Sequence, residues 1–185
     1  MEEEEVFAGA HLQSPNSLTN KPIFRPNEQG SLLCKFLTQQ VWDKLKNHAD
    51  PYSFTFKEAI FSGCKNPDSG IGVYAGSAES YNSFADLFVP IIEDYHKYSL
   101  SRGHTSNMDA SQLNAPPFAP EDAAMIRSTR IRVGRNLADF PLGPAITREQ
   151  RNTIEQKVVE ACSSFTGELA GTYYSLNSLT EAQRT

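Results

Sequence analysis

"TFKEAIFSGCKNPDSGIGVYAG", residues 55–76, changes character midway, and its two halves set the terms for the rest of the chain. Thr55 followed three residues later by Glu58 is a capping box, in which each side chain satisfies a backbone N–H of the first helical turn. It predicts a short helix through Phe61 that Gly63 halts. A loop follows, rich in Pro and Gly. Within it Gly70 and Gly72 allow the backbone to approach a ligand closely and to turn its amides inward, which suits a carboxylate or another small anion without a cation. No GK[ST] follows, so this is not a P-loop. An ordinary interhelical turn satisfies the same pattern, and Tyr74 taken alone reads as core.

Helical patterns flank the loop on both sides. Leu33, Phe36, Leu37, Val41, Trp42 and Leu45 recur at helical spacing, predicting one amphipathic helix from Ser31 to near Asp50 and Pro51. Beyond the loop, Ser77 can cap a helix whose buried stripe is Ala78, Tyr81, Ala85 and Phe88; Pro90 either kinks it or starts another through Tyr95. Residues 1–30, with Pro15, Pro22, Pro26 and Gly30 and no periodicity, read as an irregular leader that wraps the surface. Its opening glutamates read as a solvated tail. Residues 31–96 are therefore expected to be a small helical domain. Residues 97–121 are polar with a proline cluster and read as a linker.

The period changes in residues 122–185. In "MIRSTRIRV", residues 125–133, Met125, Arg127, Thr129, Ile131 and Val133 alternate with Ile126, Ser128, Arg130 and Arg132, the pattern of an extended strand. Arg130 and Arg132 then share a face. Two roles fit them: forked hydrogen bonds to neighbouring anionic groups such as a polyphosphate, or pairing with carboxylates across a sheet. Arg127 and Arg135 read as surface or structural residues. Thr147 with Gln150 caps a helix expected to be buried through Ile154, Val158, Ala161 and Phe165, and "GTYYSLNSL" reads as a further strand with a turn. Thr180 and Gln183 announce one more helix just as the sequence stops. One strand, one helix and a hairpin-like segment cannot close a sheet, so an incomplete α+β arrangement is expected.

Composition removes several classes of function. The 185 residues carry a formal net charge of -5, which argues against a nucleic-acid coat. The cysteines Cys34, Cys64 and Cys162 are odd in number and unpaired in spacing, so neither a disulfide framework nor a metal site is expected. No apolar stretch is long enough to span a bilayer, and the acidic start is unlike a presequence. The expected location is the cytoplasm, with no membrane or nucleic-acid partner.

Three ordered stretches, "NPDSGIGVYAGSAESYNSFADLFVPIIEDYH" (66–96), "STRIRVGRN" (128–136) and "TGELAGTYYSLNSLTEAQ" (166–183), resemble the phosphagen kinases, the ATP:guanidino phosphotransferases, and among them most the arginine kinases. The resemblance runs from about Leu32 to the last residue and is weakest in the linker. It implies a small helical N-terminal domain followed by the beginning of an antiparallel-sheet catalytic domain, and reversible transfer of the γ-phosphoryl of MgATP to a guanidino nitrogen, with MgATP or MgADP as co-substrate and no prosthetic group. It implies that Ser128, Thr129, Arg130, Ile131 and Arg132 serve the nucleotide phosphates. Ser69, Gly70, Ile71, Gly72, Val73 and Tyr74 would cup the amino-acid end of the guanidino substrate, arginine first, with lombricine, taurocyamine, glycocyamine or creatine as alternatives. The family's catalytic carboxylates and reactive cysteine have no counterpart in this chain, and none of the three cysteines matches the latter. A fragment without activity of its own is expected; a half-length, non-catalytic interaction subunit is the rival reading. Val133 and Ser175 stand where the family usually has cysteine and proline.

Overall fold

The computed structural model describes residues 14–22, 30–66, 68–103 and 105–184. The acidic start and Pro26 of the leader lie outside the described residues. Ser31 begins the first helix by accepting a hydrogen bond from the Cys34 amide at 3.1 Å. The single long helix predicted from Ser31 is two helices, α1 (Leu32–Phe36) and α2 (Gln39–Leu45). The break has a local cause. Thr38 adopts an extended conformation and its hydroxyl accepts from the Val41 amide, so it caps a new helix and does not continue the old one. Both pieces still point Leu33, Trp42 and Leu45 inward.

α3 (Phe56–Lys65) carries the predicted capping box: the Thr55 amide donates to Glu58 Oε2 at 2.7 Å and the Glu58 amide to Thr55 Oγ1 at 3.2 Å. Gly63 does not halt it. After the loop the chain forms α4 (Ser80–Ser83) and α5 (Ala85–His96), separated at Phe84, with Pro90 inside α5. The buried residues are Phe84, Leu87, Phe88 and Ile91; Ala78 and Tyr81 of the expected stripe are exposed. The core is aromatic at its centre. Trp42 and Phe56 lie 6.3 Å apart between ring centroids, and Phe56 and Phe84 5.6 Å apart edge to face. Leu18 is fully buried in the same cluster, so this part of the leader enters the core and does not merely wrap it.

A buried polar knot joins the turns before α3 and α4. Asp50 is only 4% exposed, and its carboxylate accepts from the hydroxyls of Ser77 at 2.6 Å and Ser80 at 2.7 Å and from the amides of Tyr52 at 2.9 Å and Phe54 at 3.0 Å. Ser77 thus serves Asp50 as well as the start of α4. Burial works against the charge, but the four donors outweigh it and hold the carboxyl below the usual aspartate range.

The second part is helical where it is regular: α6 (Pro120–Met125), α7 (Arg148–Ser163) and α8 (Glu181–Arg184). Among the described residues there is no β-strand, only an isolated bridge between Ala49 and Thr55. The strands expected at 125–133 and in 171–179 are absent: Met125 ends α6, residues 126–136 are irregular and exposed, and residues 176–178 form a 3-10 turn. Alternation gives a strand two faces, but a strand also needs a hydrogen-bonded neighbour, and none of the described segments supplies one. α7 has its predicted capping box at Thr147 and Gln150, yet Val158, Ala161 and Phe165 are exposed and Ile154 is only half-buried. Residues 142–145 turn back to the helical body, where the Leu142 amide donates to Gly76 O at 2.8 Å and Leu142 and Ala145 pack on the core.

Asp50→Ala would strand two hydroxyls and two amides, and is expected to cost about 3 kcal/mol in urea unfolding. Because the folded carboxyl titrates below its unfolded value, the Asp50 contribution is complete above the ordinary aspartate range and is lost as pH falls through the lowered folded value. The wild type should therefore lose more stability on acidification than Asp50→Ala does. Parallel pH profiles for the two proteins would refute this account.

Candidate substrate groove

The loop is held by backbone groups before any side chain is considered. The Ser69 amide donates to Asn66 O, closing a turn after α3. The carbonyls of Gly70 and Ile71 then accept from the amides of Leu32 at 3.0 Å and Leu33 at 2.9 Å. These two donors belong to the first turn of α1, which has no intrahelical acceptors for them. The Tyr74 amide donates to Ala59 O at 2.9 Å, fastening the far end of the loop to α3.

Close packing fixes the middle. A Cβ placed on Gly63 would lie 2.1 Å from Gly72 O, and one on Gly72 would lie 2.9 Å from Leu33 Cβ. Gly72 also has a φ of 84°, which L side chains rarely adopt. Gly63 is therefore the point at which the loop backbone lies directly on α3.

With their carbonyls turned to α1, Gly70 and Ile71 keep their own amides unclaimed. The same holds for Gly72 and Val73: none of these four N–H groups donates to an acceptor among the described residues. Residues 69–74 form one side of an open groove of about 660 Å³, completed by Leu32 and by Asp94, Tyr95 and Lys97 at the end of α5. Tyr74 is 43% exposed along this groove and is not core.

Asp94, Tyr95 and Lys97 were not singled out by sequence reasoning. Lys97 sat at the first position of the expected linker. The available signal was the charged cluster "EDYHK" immediately after an apolar helix. Asp94 bridges two ammonium groups, Lys97 at 2.9 Å and Lys35 at 3.1 Å, and hydrogen bonds from these two hold its carboxyl below the usual range.

Ser128, Thr129, Arg130, Ile131 and Arg132 are not brought to this groove. All five are exposed, Ile131 to 86%. Among the described residues Arg130 and Arg132 make no ion pair, so the carboxylate-pairing role left open by the sequence is not realised. A second cleft of about 720 Å³ lies where residues 76–79 meet residues 136–142, beneath Tyr52 and Phe54. Burial raises the Cys34 thiol and pushes that of Cys64 up to about 12.

Comparison with known proteins gives the class. Residues 27–93 match the family model described as ATP:guanido phosphotransferase, N-terminal domain. An arginine kinase from Anthopleura japonica is 44% identical over 183 residues, covering 98% of this chain and 25% of that protein. Arginine kinase Scy s 2 from Scylla serrata is 42% identical over 151 residues, covering 82% of this chain and 42% of that protein. Among solved structures, the duplicated taurocyamine kinase from Schistosoma mansoni with bound transition state analog components aligns with a TM-score of 0.72 at 27% identity, over 86% of this chain and 22% of that one. The crystal structure of a lombricine kinase shares the fold, with a TM-score of 0.64 at 21% identity over 94% of this chain and 46% of that one. Residues 27–93 thus match the N-terminal domain of the ATP:guanidino phosphotransferases, and over most of its length the chain is similar to arginine kinases and other phosphagen kinases. It spans between a quarter and about two fifths of the length of the curated relatives it matches.

Gly63→Ala tests the positioning of the loop. In an ordinary helix this change is favourable by about 1 kcal/mol. Here the methyl meets backbone that cannot swing aside, and a net loss of about 2 kcal/mol in urea unfolding is expected. A variant as stable as the wild type would mean that the loop does not rest on α3.

Proposed function

We propose that this chain supplies the guanidino-substrate side, and the first nucleotide-binding segment, of an arginine-kinase-type phosphotransferase that moves the γ-phosphoryl of ATP reversibly onto a guanidino nitrogen. The observation that carries the reading is the pinned loop 69–74, whose unclaimed amides border an open groove. In this reading residues 31–96 form the substrate domain, 97–121 the linker and 122–185 the opening part of a sheet-based catalytic domain. The protein acts in the cytoplasm on ATP and a guanidino compound, with arginine the first choice.

The physical logic is that of in-line phosphoryl transfer. The transferred group moves between two oxygen- or nitrogen-bearing partners with little covalent help, so rate comes from alignment and from charge placed around the phosphates. The amides of Gly70, Ile71 and Val73 would hold the anionic tail of the substrate and so fix where its guanidino end lies. Arg130 and Arg132, which make no ion pair among the described residues, are available to fork onto phosphate oxygens. Mg²⁺ arriving with the nucleotide would neutralise part of the phosphate charge. Closing the two parts over both ligands would exclude water and suppress ATP hydrolysis.

A different guanidino substrate is the second reading, and it is favoured by the structural likeness to a taurocyamine kinase. The test is a coupled ATP assay on the product of the complete reading frame with a panel of guanidino compounds. Highest kcat/KM with arginine is expected; preference for taurocyamine or lombricine would select the second reading. Arg130→Ala and Arg132→Ala are each expected to reduce kcat/KM for ATP by about tenfold or more. The 185-residue chain alone should show negligible turnover. Wild-type kinetics in both arginine variants, or a complete reading frame that binds no guanidino compound, would overturn the proposal.

A further inference from the structure

We propose that Lys97 is a specificity-determining residue of the groove, selecting guanidino compounds that carry an anionic tail; this rests on the reading of residues 69–74 as a guanidino-substrate site. Lys97 is the first residue beyond α5 and sits in the left-handed region, with φ 53° and ψ 36°. At such a position glycine terminates a helix at the least conformational cost. Helix termination by itself therefore gives no reason for a lysine here.

The surroundings do give one. Lys97 and Asp94 border the groove together with the loop whose four amides are unclaimed. Asp94 Oδ1 accepts from Lys97 and Asp94 Oδ2 from Lys35, so both carboxylate oxygens are engaged by cations. Of these three charged groups, Asp94 and Lys97 line the groove, and Lys35 engages Asp94 from outside it. Asp94 is thus held by lysines and does not offer an unshared carboxylate to a substrate cation. With Asp94 occupied by two lysines, the Lys97 ammonium and a set of amides without acceptors among the described residues both favour an anion, and both disfavour a guanidinium.

This fixes the direction in which a substrate lies. Its carboxylate, sulfonate or phosphodiester tail is drawn to the groove formed by the loop and Lys97, while its guanidino end is repelled away from that cluster. The lysine side chain is 77% exposed, so solvent screens its charge and the expected discrimination is several-fold, not thousands-fold. Its reach and flexibility would let one lysine serve tails of different length.

The experiment uses the isotopically labelled 185-residue chain, titrated at low ionic strength with L-arginine and with agmatine, which lacks the carboxylate. Amide resonances of Gly70, Ile71 and Val73 report binding. L-arginine is expected to bind about fivefold to tenfold tighter than agmatine. Lys97→Gly should lower that preference, and Lys97→Glu should abolish it, while Lys97→Gly unfolds at no lower a temperature than wild type. A preference for L-arginine that survives unchanged in Lys97→Glu, or equal binding of the two compounds by the wild type, overturns the role of Lys97 and leaves the groove as a guanidino site. Resonances that respond to no guanidino compound overturn the site reading and the inference with it.

Discussion

The groove beside residues 69–74 depends on a contact that involves no side chain. Gly63 and Gly72 bring the backbone of α3 and the backbone of the loop so close that a methyl group on Gly63 would lie 2.1 Å from a carbonyl oxygen. Because the loop lies this low, its carbonyls at Gly70 and Ile71 reach the first turn of α1 and satisfy donors that a helix start always leaves over. One constraint therefore does two things: it joins α1, α3 and the loop, and it sorts the polar groups of the loop into used carbonyls and unused amides. A loop raised by even one methyl diameter would lose the hydrogen bonds to α1.

The Asp50 knot plays a matching part at the turns before α3 and α4. It ties the turn before α3 to the turn before α4 through one carboxylate, four donors and no cation. A buried carboxylate is tolerated only when its lone pairs are filled, and here the filling comes from groups that are rigid for other reasons: two backbone amides and two serines at the start of α4. Gly76 belongs to the same region. It lies so close to Phe54 that a Cβ there would overlap the ring, and its carbonyl receives the Leu142 amide from the second part of the chain. The helical body is thus fastened at both ends of the segment from Gly70 to Ser80, with the aromatic core of Trp42, Phe56 and Phe84 between.

What the sequence allowed one to read was local. The Thr55 and Thr147 capping boxes were legible because both partners lie within one turn, and both form as expected. Gly63 was misread as a stop because a glycine that admits close packing looks identical to one that ends a helix until its partner, nine residues on, is placed. The phase of the stripe after Ser77 failed because Ser77 and Ser80 are also claimed by Asp50, a long-range interaction that moves the helix start and turns Phe84 and Leu87 inward in place of Ala78 and Tyr81. Lys97 was lost at a boundary: composition assigned it to the linker, whereas geometry assigns it to the groove.

The two candidate sites differ in how much of their ordering is already complete. Residues 69–74 are fixed by four backbone hydrogen bonds and two glycine contacts, so a ligand that meets them loses little to ordering the protein. Residues 128–132 have alternation but no sheet partner among the described residues, and their arginines are exposed without ion pairs. Fixing an unconstrained backbone costs about 1–2 kcal/mol per residue, so five residues ordered by a phosphate alone would consume most of what two forked arginine contacts can return. Strand pairing would remove that cost in advance and present both guanidinium groups on one face. The same alternation that failed to make a strand here is therefore the feature that would make Arg130 and Arg132 effective once a neighbouring strand is supplied.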